Sequence, residues 1–339
     1  MRFLFLGAGA IGTYIGGSLA IRGEDVSVVE QPAVAEVIST RGLVLHRGGQ
    51  TRSETGVRVF TSDADALDAG PYDVCVFALK SFDTQAALDA LVATGRPVPP
   101  ILSLQNGVDN EPLIAATLGA GRVIAGTVTS AIAKTGVGEV VEETHRGVGI
   151  AAGHPLSDRL VDALRRAGLG VRAYPDAASM KWSKLLTNLT GNATSAILDL
   201  SVEELFADPR LCDVELAVLR ECLAVMDAVG ARPVDLPGTP VRALALATRL
   251  PRRVVQPILR RALGAGRGDK MPSFHIDLHS GRGRTEVEWL NGAVVRHGAE
   301  VGVAAPVNAV LTRTLTDLAE GRASVERFRR NPDALLALL

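Results

Sequence analysis

The chain has 339 residues with 36 Lys and Arg against 37 Asp and Glu, a formal net charge of −1, so it offers no strong field for nucleic acid or an anionic membrane surface. Hydrophobic residues make up 47% and charged residues 22%, which excludes a largely disordered chain and is ordinary for a globular enzyme. The length predicts two domains, each able to hold a core. Cys75, Cys212 and Cys222 lie far apart or inside apparently regular elements, with neither metal-ligand spacing nor a paired secretory pattern, which predicts a reduced, cytoplasmic setting. The N-terminus lacks a basic region followed by an apolar stretch and cleavage site. No run of about 18 apolar residues predicts a membrane span.

In chain order, residues 1–6 read as an apolar strand, followed by Gly7-Ala8-Gly9-Ala10-Ile11-Gly12 and a helical stretch over 14–22. GxGxxG between a strand and a helix is the context a dinucleotide site requires. Gly7 permits the turn, Gly9 removes a Cβ that would block a pyrophosphate, and Gly12 lets the helix approach the strand. The helix N-terminus then presents N–H groups to the phosphates. Glycines also serve ordinary turns, but here a second strand over 26–30 ends in Glu30 about twenty residues on. This favours dinucleotide binding over a structural turn.

A helix is expected over 33–40 and short strands and turns over 42–59. Residues 73–79 read as a strand, continuously apolar from Val74 on as a buried parallel strand should be, and run into Lys80. A helix over 84–93, a strand over 101–104 ending in Gln105-Asn106-Gly107, and a helix over 111–118 follow. Alternation of strand and helix predicts a parallel sheet covered on both faces. Its carboxyl edge would gather Gly7, Glu30, Lys80 and Asn106. Residues 122–134 and 137–143 read as β segments paired around Thr135-Gly136, with 148–151 a third, then a helix over 157–167 and a strand over 170–174. From about residue 177 the pattern turns helical, over 179–198, 202–207, 210–229, 241–250, 254–263, 286–297 and 306–320. Pro233, Pro237 and Pro240 interrupt it, and 264–268 reads as flexible. The predicted fold is α/β: a dinucleotide-binding domain over 1–176 and a mostly α-helical domain over 177–339.

Lys184, Asn188 and Asn192 recur every four residues, which places them on one helix face. A lysine and two carboxamides can protonate and position an oxygen-rich substrate, and a lysine drawn from water can have its pKa lowered into working range. A polar surface stripe is the equally simple reading of these three residues alone; beside a dinucleotide site, catalysis is favoured. Glu286 at a helix start has a structural explanation in capping, and Ser273 one as a loop hydroxyl. His275 and His279 lack the Glu and third ligand of a zinc site, so no metal is expected. The absence of GxSxG argues against hydrolysis.

Taken together, GAGAIG, LQNG at 104–107, KLLTNLTGNATSAI from Lys184, KMPS from Lys270, TEVEWLNGAVV from Thr285 and PVN at 306–308 resemble the ketopantoate reductase (2-dehydropantoate 2-reductase) family, in its order and over most of the chain. The resemblance implies a Rossmann domain, a helical C-terminal domain that binds substrate and supports a homodimer, and hydride transfer to a small 2-keto acid in the cleft between them. By position, it makes Lys184 the general acid, Asn106 the neighbour of the nicotinamide, Asn188, Asn192, Ser273 and Asn106 substrate-binding, and Glu286 an acid near the cofactor and lysine. Gly7 to Gly12, Lys80 and Ala131 fall at cofactor positions. Hydride addition generates an alkoxide, which an ammonium stabilises before supplying a proton.

Three departures qualify the match. Glu30-Gln31 stand where NADPH-using members commonly carry arginine, so NAD(H) is favoured, a carboxylate suiting the ribose diol and repelling a 2′-phosphate; Lys80 and the resemblance keep NADP(H) open. Ser201-Val202-Glu203-Glu204 replaces the family's Asn-Gly turn, and 233–268 and 273–286 are extended. Ketopantoate to pantoate is the expected reaction. Another branched or aromatic 2-hydroxy acid is the enzyme alternative, and a non-catalytic NAD-binding sensor the alternative of another class.

Overall fold

The run Arg2–Leu6, apolar from Phe3 on, forms β1, with Phe3, Leu4 and Phe5 fully buried, as a strand covered on both faces requires. There follow α1 (Ala10–Ala20), β2 (Asp25–Val29), α2 (Pro32–Arg41), β3 (Leu43–Arg47), β4 (Gln50–Glu54), β5 (Arg58–Phe60), α3 (Asp63–Asp68), β6 (Val74–Phe77), α4 (Thr84–Ala93), β7 (Ile101–Ser103), α5 (Asn110–Leu118), β8 (Val123–Val128), β9 (Ala131–Gly136), β10 (Glu139–Thr144), β11 (Val148–Ala151), α6 (Ser157–Arg166) and β12 (Val171–Tyr174). The computed structural model describes residues 1–261, 271–281 and 283–339. Within these residues it divides into two units, Met1–Lys181 with Asp235–Thr239, and Trp182–Val234 with Pro240–Leu339. The stretch expected to be flexible, 264–268, and Lys270 of KMPS lie outside the described residues, as do the last two residues of the helix expected over 254–263.

The main sheet of the first unit has the order β12-β11-β8-β7-β6-β1-β2-β5. From β5 to β8 all neighbours are parallel. Counted in chain order, those strands run 3-2-1-4-5-6, the doubly wound Rossmann arrangement whose direction of winding reverses between β1 and β6. β11 then pairs antiparallel with β8, and β12 parallel with β11. Alternate residues feed two cores: Phe3, Phe5, Val74 and Val76 pack with Ile15, Leu19, Leu160 and Leu164. Leu4, Leu6, Cys75 and Phe77 pack with Leu88, Leu91 and Ile114.

A second sheet, β4-β3-β10-β9, corrects the expectation for 122–134. That stretch is two strands in two sheets, broken at Thr129-Ser130. Ser130 Oγ accepts the Arg146 and Gly147 amides at 3.0 Å each, and Thr129 Oγ1 donates to the Gly147 carbonyl at 3.0 Å. These side chains take up backbone groups where the ladder stops. The turn falls at Val137-Gly138, where Gly138 has φ +64°, rather than at Thr135-Gly136.

The helical region comprises α7 (Ala177–Leu189), α8 (Asn192–Leu198), α9 (Val202–Ala207), α10 (Pro209–Ala228), α11 (Val241–Ala247), α12 (Arg252–Leu259), α13 (Ser273–Leu278), α14 (Asn291–Glu300), α15 (Pro306–Ala319), α16 (Val325–Phe328) and α17 (Pro332–Leu336). The division between units falls inside α7, between Lys181 and Trp182. The single helix expected over 179–198 is two helices. Gly191 breaks it with φ +67°, a conformation glycine adopts at little cost, and its amide donates to the buried Glu215 carboxylate at 2.6 Å. The segment 235–239 belongs to the first unit, where Tyr174 Oη and Arg172 Nη1 donate to the Asp235 carbonyl at 2.8 and 3.0 Å.

Candidate active site

Gly7, Glu30, Lys80 and Asn106 follow the carboxyl ends of β1, β2, β6 and β7, on one edge of the parallel sheet. Three glycines of the first loop are constrained in three different ways. Gly7 has φ +90°, which side-chain-bearing residues rarely adopt. A Cβ on Gly12 would sit 2.0 Å from the Gly7 carbonyl oxygen, so α1 can start this close to β1 only without one. A Cβ on Gly9 would meet nothing within 4 Å. The space beside Gly9 is thus open, and Gly9 itself is the N-cap of α1, whose first turn among the described residues has no acid and no side-chain cap. An uncapped helix start facing open space fits an anionic pyrophosphate, so the residues present fit a dinucleotide.

Glu30 is tied to this loop. Its carboxylate accepts the Ala8 amide and, at 3.2 Å, the Gln31 amide. The acid that ends β2 therefore lies against the glycine loop rather than pointing away from it. Thr13 Oγ1 donates to the Ala8 carbonyl at 2.9 Å, closing the loop from the helix side.

The loops after β6 and β7 are joined by a buried polar network that the sequence reading missed. Gln105 Nε2 donates to Thr84 Oγ1 at 2.8 Å and to the Leu79 carbonyl at 3.3 Å. Ser81 Oγ and Asn110 Nδ2 both donate to the Asn106 carbonyl, at 2.9 and 2.7 Å. Thr84 Oγ1 donates to Asn110 Oδ1 at 2.8 Å. Lys181, 4% exposed, donates to the Gln105 carbonyl at 2.6 Å and the Gly126 carbonyl at 3.3 Å, and pairs with Glu111 at 2.8 Å. A buried ammonium requires such company. Lys80 and Asn106 are thus carried on loops fixed by Ser81, Thr84, Gln105, Asn110 and Lys181. The signal in the sequence was the polar character of LQNG and of the Lys-Ser turn, but which partners they find depends on contacts as far as 21 to 76 residues away. Ala131 opens β9 and is half-buried.

In the second unit, Lys184 and Asn188 lie one turn apart on α7, both half-buried among Leu185, Leu186 and Leu189. Asn192 is not on their helix but begins α8. It stays adjacent because its Nδ2 donates to the Asn188 carbonyl at 3.0 Å. The same Nδ2 reaches Ser273 Oγ at 3.2 Å, and Oδ1 accepts the Phe274 amide at 3.0 Å. Both ends of that carboxamide are engaged in holding the start of α13, which positions Ser273. Glu286 is 3% exposed and opens a 3-10 turn, Glu286–Trp289, rather than the α-helix expected over 286–297; α14 starts at Asn291. Thr285 caps the turn, accepting the Val287 amide at 3.3 Å. Asn291 and Asn308, of the WLNG and PVN motifs, are buried and bonded to each other at 3.0 Å, and Asn308 Nδ2 also donates to Glu221 at 2.7 Å. Those two motif asparagines are spent on packing α14 with α15.

A doubly wound sheet with a glycine cradle at its switch point, followed by a helical region bearing a lysine and carboxamides, is the architecture of a nicotinamide-dependent oxidoreductase. The family model for ketopantoate reductase PanE/ApbA matches residues 3–153, and that for the ketopantoate reductase PanE/ApbA C terminal matches 176–319. The chain belongs to the ketopantoate reductase family. It is 27% identical to the 2-dehydropantoate 2-reductase of Pyrococcus horikoshii, with 92% of this chain and 95% of that protein covered. The crystal structure of a PanE/ApbA family ketopantoate reductase from Ralstonia eutropha JMP134 superposes with a TM-score of 0.81 at 28% identity, covering 95% of this chain and 99% of that one. D-mandelate dehydrogenase, solved with NADH and anilino(oxo)acetate, shares the fold with a TM-score of 0.75 at 20% identity, over 95% of this chain and 99% of that one. Among the described residues no helix is long and apolar enough to cross a membrane.

Proposed function

We propose that this chain is a cytoplasmic, nicotinamide-dependent 2-keto acid reductase, with 2-dehydropantoate to pantoate as its reaction. The observation that carries the reading is Lys184, half-buried one turn from Asn188, in a chain whose glycine loop fits a dinucleotide. A sensor needs the loop but not a proton donor. When bound, the nicotinamide supplies the hydride. Gly7 to Gly12 and the start of α1 hold the pyrophosphate, Glu30 the adenosine ribose diol, and Lys80, Asn106 and Ala131 line the remaining cofactor. Lys184 donates its proton to the carbonyl oxygen of the keto acid and stabilises the developing alkoxide. Asn106, Asn188 and Ser273 orient the substrate, with Asn192 holding Ser273 in place, and Glu286 acts beside cofactor and lysine. The Glu30 carboxylate bonded to the Ala8 amide supports NAD(H) as the preferred cofactor.

The domain roles follow: residues 1–176 bind cofactor, and 177–339 bind substrate and dimerise. Exposed Leu246 and Leu250, and Val254 and Ile258, recur four residues apart in the helical unit and support a homodimer through that surface. Sedimentation of the Ile258→Lys variant as a dimer identical to the parent would remove the surface from the interface. The reaction is tested by initial rates of NADH and NADPH oxidation with 2-dehydropantoate beside branched and aromatic 2-keto acids. Lys184→Ala should retain cofactor binding and lose turnover at least about a hundredfold. Unchanged turnover would exclude Lys184 as the acid, and turnover of an aromatic keto acid with 2-dehydropantoate inert would replace the substrate.

A further inference from the structure

His275 and His279 are one helical turn apart, and from sequence they have no third ligand. The fold supplies one from 76 residues away. Asp199 caps the end of α8 in a left-handed conformation, φ 51°, and its Oδ1 lies 2.8 Å from His275 Nε2. The two imidazole rings are 4.3 Å apart between centroids. One ligand atom from each of the three residues lies within 4.8 Å of the other two.

We propose that Asp199, His275 and His279 form a binding site for a divalent d-block cation of the Zn²⁺ class. Two imidazole nitrogens and one carboxylate oxygen are the donor set such ions take, with a remaining position for water. Tetrahedral Zn–N and Zn–O bonds of about 2.0–2.1 Å place neighbouring ligand atoms about 3.3 Å apart. The His275–Asp199 pair therefore opens by about half an ångström as the metal enters between Nε2 and Oδ1, with the proton of the neutral imidazole carried on Nδ1. Arg329 Nε stands 3.4 Å from the other carboxylate oxygen, Oδ2. It holds the carboxylate in orientation while leaving Oδ1 for the metal, the part outer partners play in metal sites. His279 is exposed and His275 and Asp199 half-buried, so the ion enters from the His279 side.

The site has a mechanical consequence. The starts of α8 and α13 are already joined, through Asn192 with Ser273 and Phe274. A metal on Asp199, at the end of α8, would join it to α13 a second time and stiffen the segment that carries Ser273.

The test uses the full chain, free of any affinity tag and stripped with chelator, titrated with zinc chloride in competition with a chromophoric chelator. The expected result is one saturable Zn²⁺ per chain in the micromolar range or tighter, with a rise in melting temperature. His279→Ala, an exposed change that leaves the fold intact, and Asp199→Asn should each weaken binding at least about tenfold. Absence of stoichiometric binding below about 100 μM, where metal linkage would no longer matter to the fold, would overturn the site. So would unchanged affinity in His279→Ala, since the zinc would then sit elsewhere. The readout is binding, so its failure leaves the reductase reading untouched, and failure of the reductase assays leaves this site untouched.

Discussion

Replacing Glu30 by alanine should convert cofactor preference, and the size of the change follows from where the carboxylate sits. It is held against the glycine loop by the Ala8 amide and by the Gln31 amide at 3.2 Å, so it enters the complex already oriented. A hydrogen bond to a charged group contributes about 1.5–3 kcal/mol, so losing one to the ribose diol weakens NADH by about 10- to 150-fold. The same carboxylate opposes a 2′-phosphate. At about 4 Å and an effective dielectric of about 20, each pair of unit charges repels by about 4 kcal/mol; the half-exposed position and salt reduce this to about 1–2 kcal/mol. Its removal therefore strengthens NADPH by about tenfold. The two effects act in the same direction, and the NADH-to-NADPH ratio of kcat/KM falls at least about a hundredfold. Initial rates with both cofactors at saturating keto acid measure it, with Glu30→Gln, which keeps an acceptor but no charge, falling between. A ratio unchanged within about threefold in Glu30→Ala would show that this carboxylate does not face the adenosine ribose.

Gly9→Ala and Gly12→Ala separate cofactor approach from helix packing. The first Cβ meets open space and the second would sit 2.0 Å from a carbonyl oxygen, so Gly9→Ala should keep the parent melting temperature and lose cofactor affinity in calorimetry, while Gly12→Ala should fold poorly. Equal melting temperatures in the two variants would contradict the close contact. Lys181→Met leaves Glu111 and two carbonyls without their cation and should cost about 3–5 kcal/mol; a thermal melt shifted by less than about 2 °C would mean water satisfies them. Glu142 is pushed up by burial, but hydrogen bonds from Tyr14 and His145 and the charge of Arg47 outweigh this and hold it below the ordinary carboxylate range. Its contribution is thus complete above that range and lost as pH falls through the lowered folded value. Glu142→Gln should flatten the fall in melting temperature below about pH 4.5, and an unchanged slope would assign the acid sensitivity elsewhere. Cys212, its thiol pushed up to about 11 by burial and by Asp213 and Glu215, should resist alkylation at pH 8 until the chain unfolds.

The fold was legible where local pattern and tertiary environment agree. β1 and β6 are continuous apolar runs buried on both faces, and helices such as α10 carry a long periodic apolar face. The reading failed where a side chain, not the backbone pattern, decides. Residues 122–134 look like one strand because Val, Ile and Thr favour strands throughout, and only the hydroxyls of Thr129 and Ser130 bonding to residues 146–147 divide it. Ser179 to Leu198 reads as one helix because glycine is tolerated in helices at a cost of about 1 kcal/mol. The Glu215 carboxylate waiting for the Gly191 amide makes the break worth more than the turn it costs.

The site divides along the same line. The strand–turn–helix setting of the glycine loop and of Glu30 was legible because these elements specify one another within about thirty residues. Asn192 shows how a motif residue can be placed from sequence while its partners stay hidden. Spacing of four put it on the face of Lys184 and Asn188, ready for substrate, yet its carboxamide is bonded to Asn188, Ser273 and Phe274. An amide offers two donors and one acceptor with two lone pairs, so little capacity is left for a ligand. Asn192→Asp keeps size but places an acceptor where the Asn188 carbonyl needs a donor, and it reverses the bond with Ser273 Oγ. If Asn192 positions Ser273, the variant should lose thermal stability along with a raised KM for the keto acid, and Ser273→Ala should raise KM with the melting temperature unchanged. A raised KM at full stability in Asn192→Asp would instead place that carboxamide on the substrate itself.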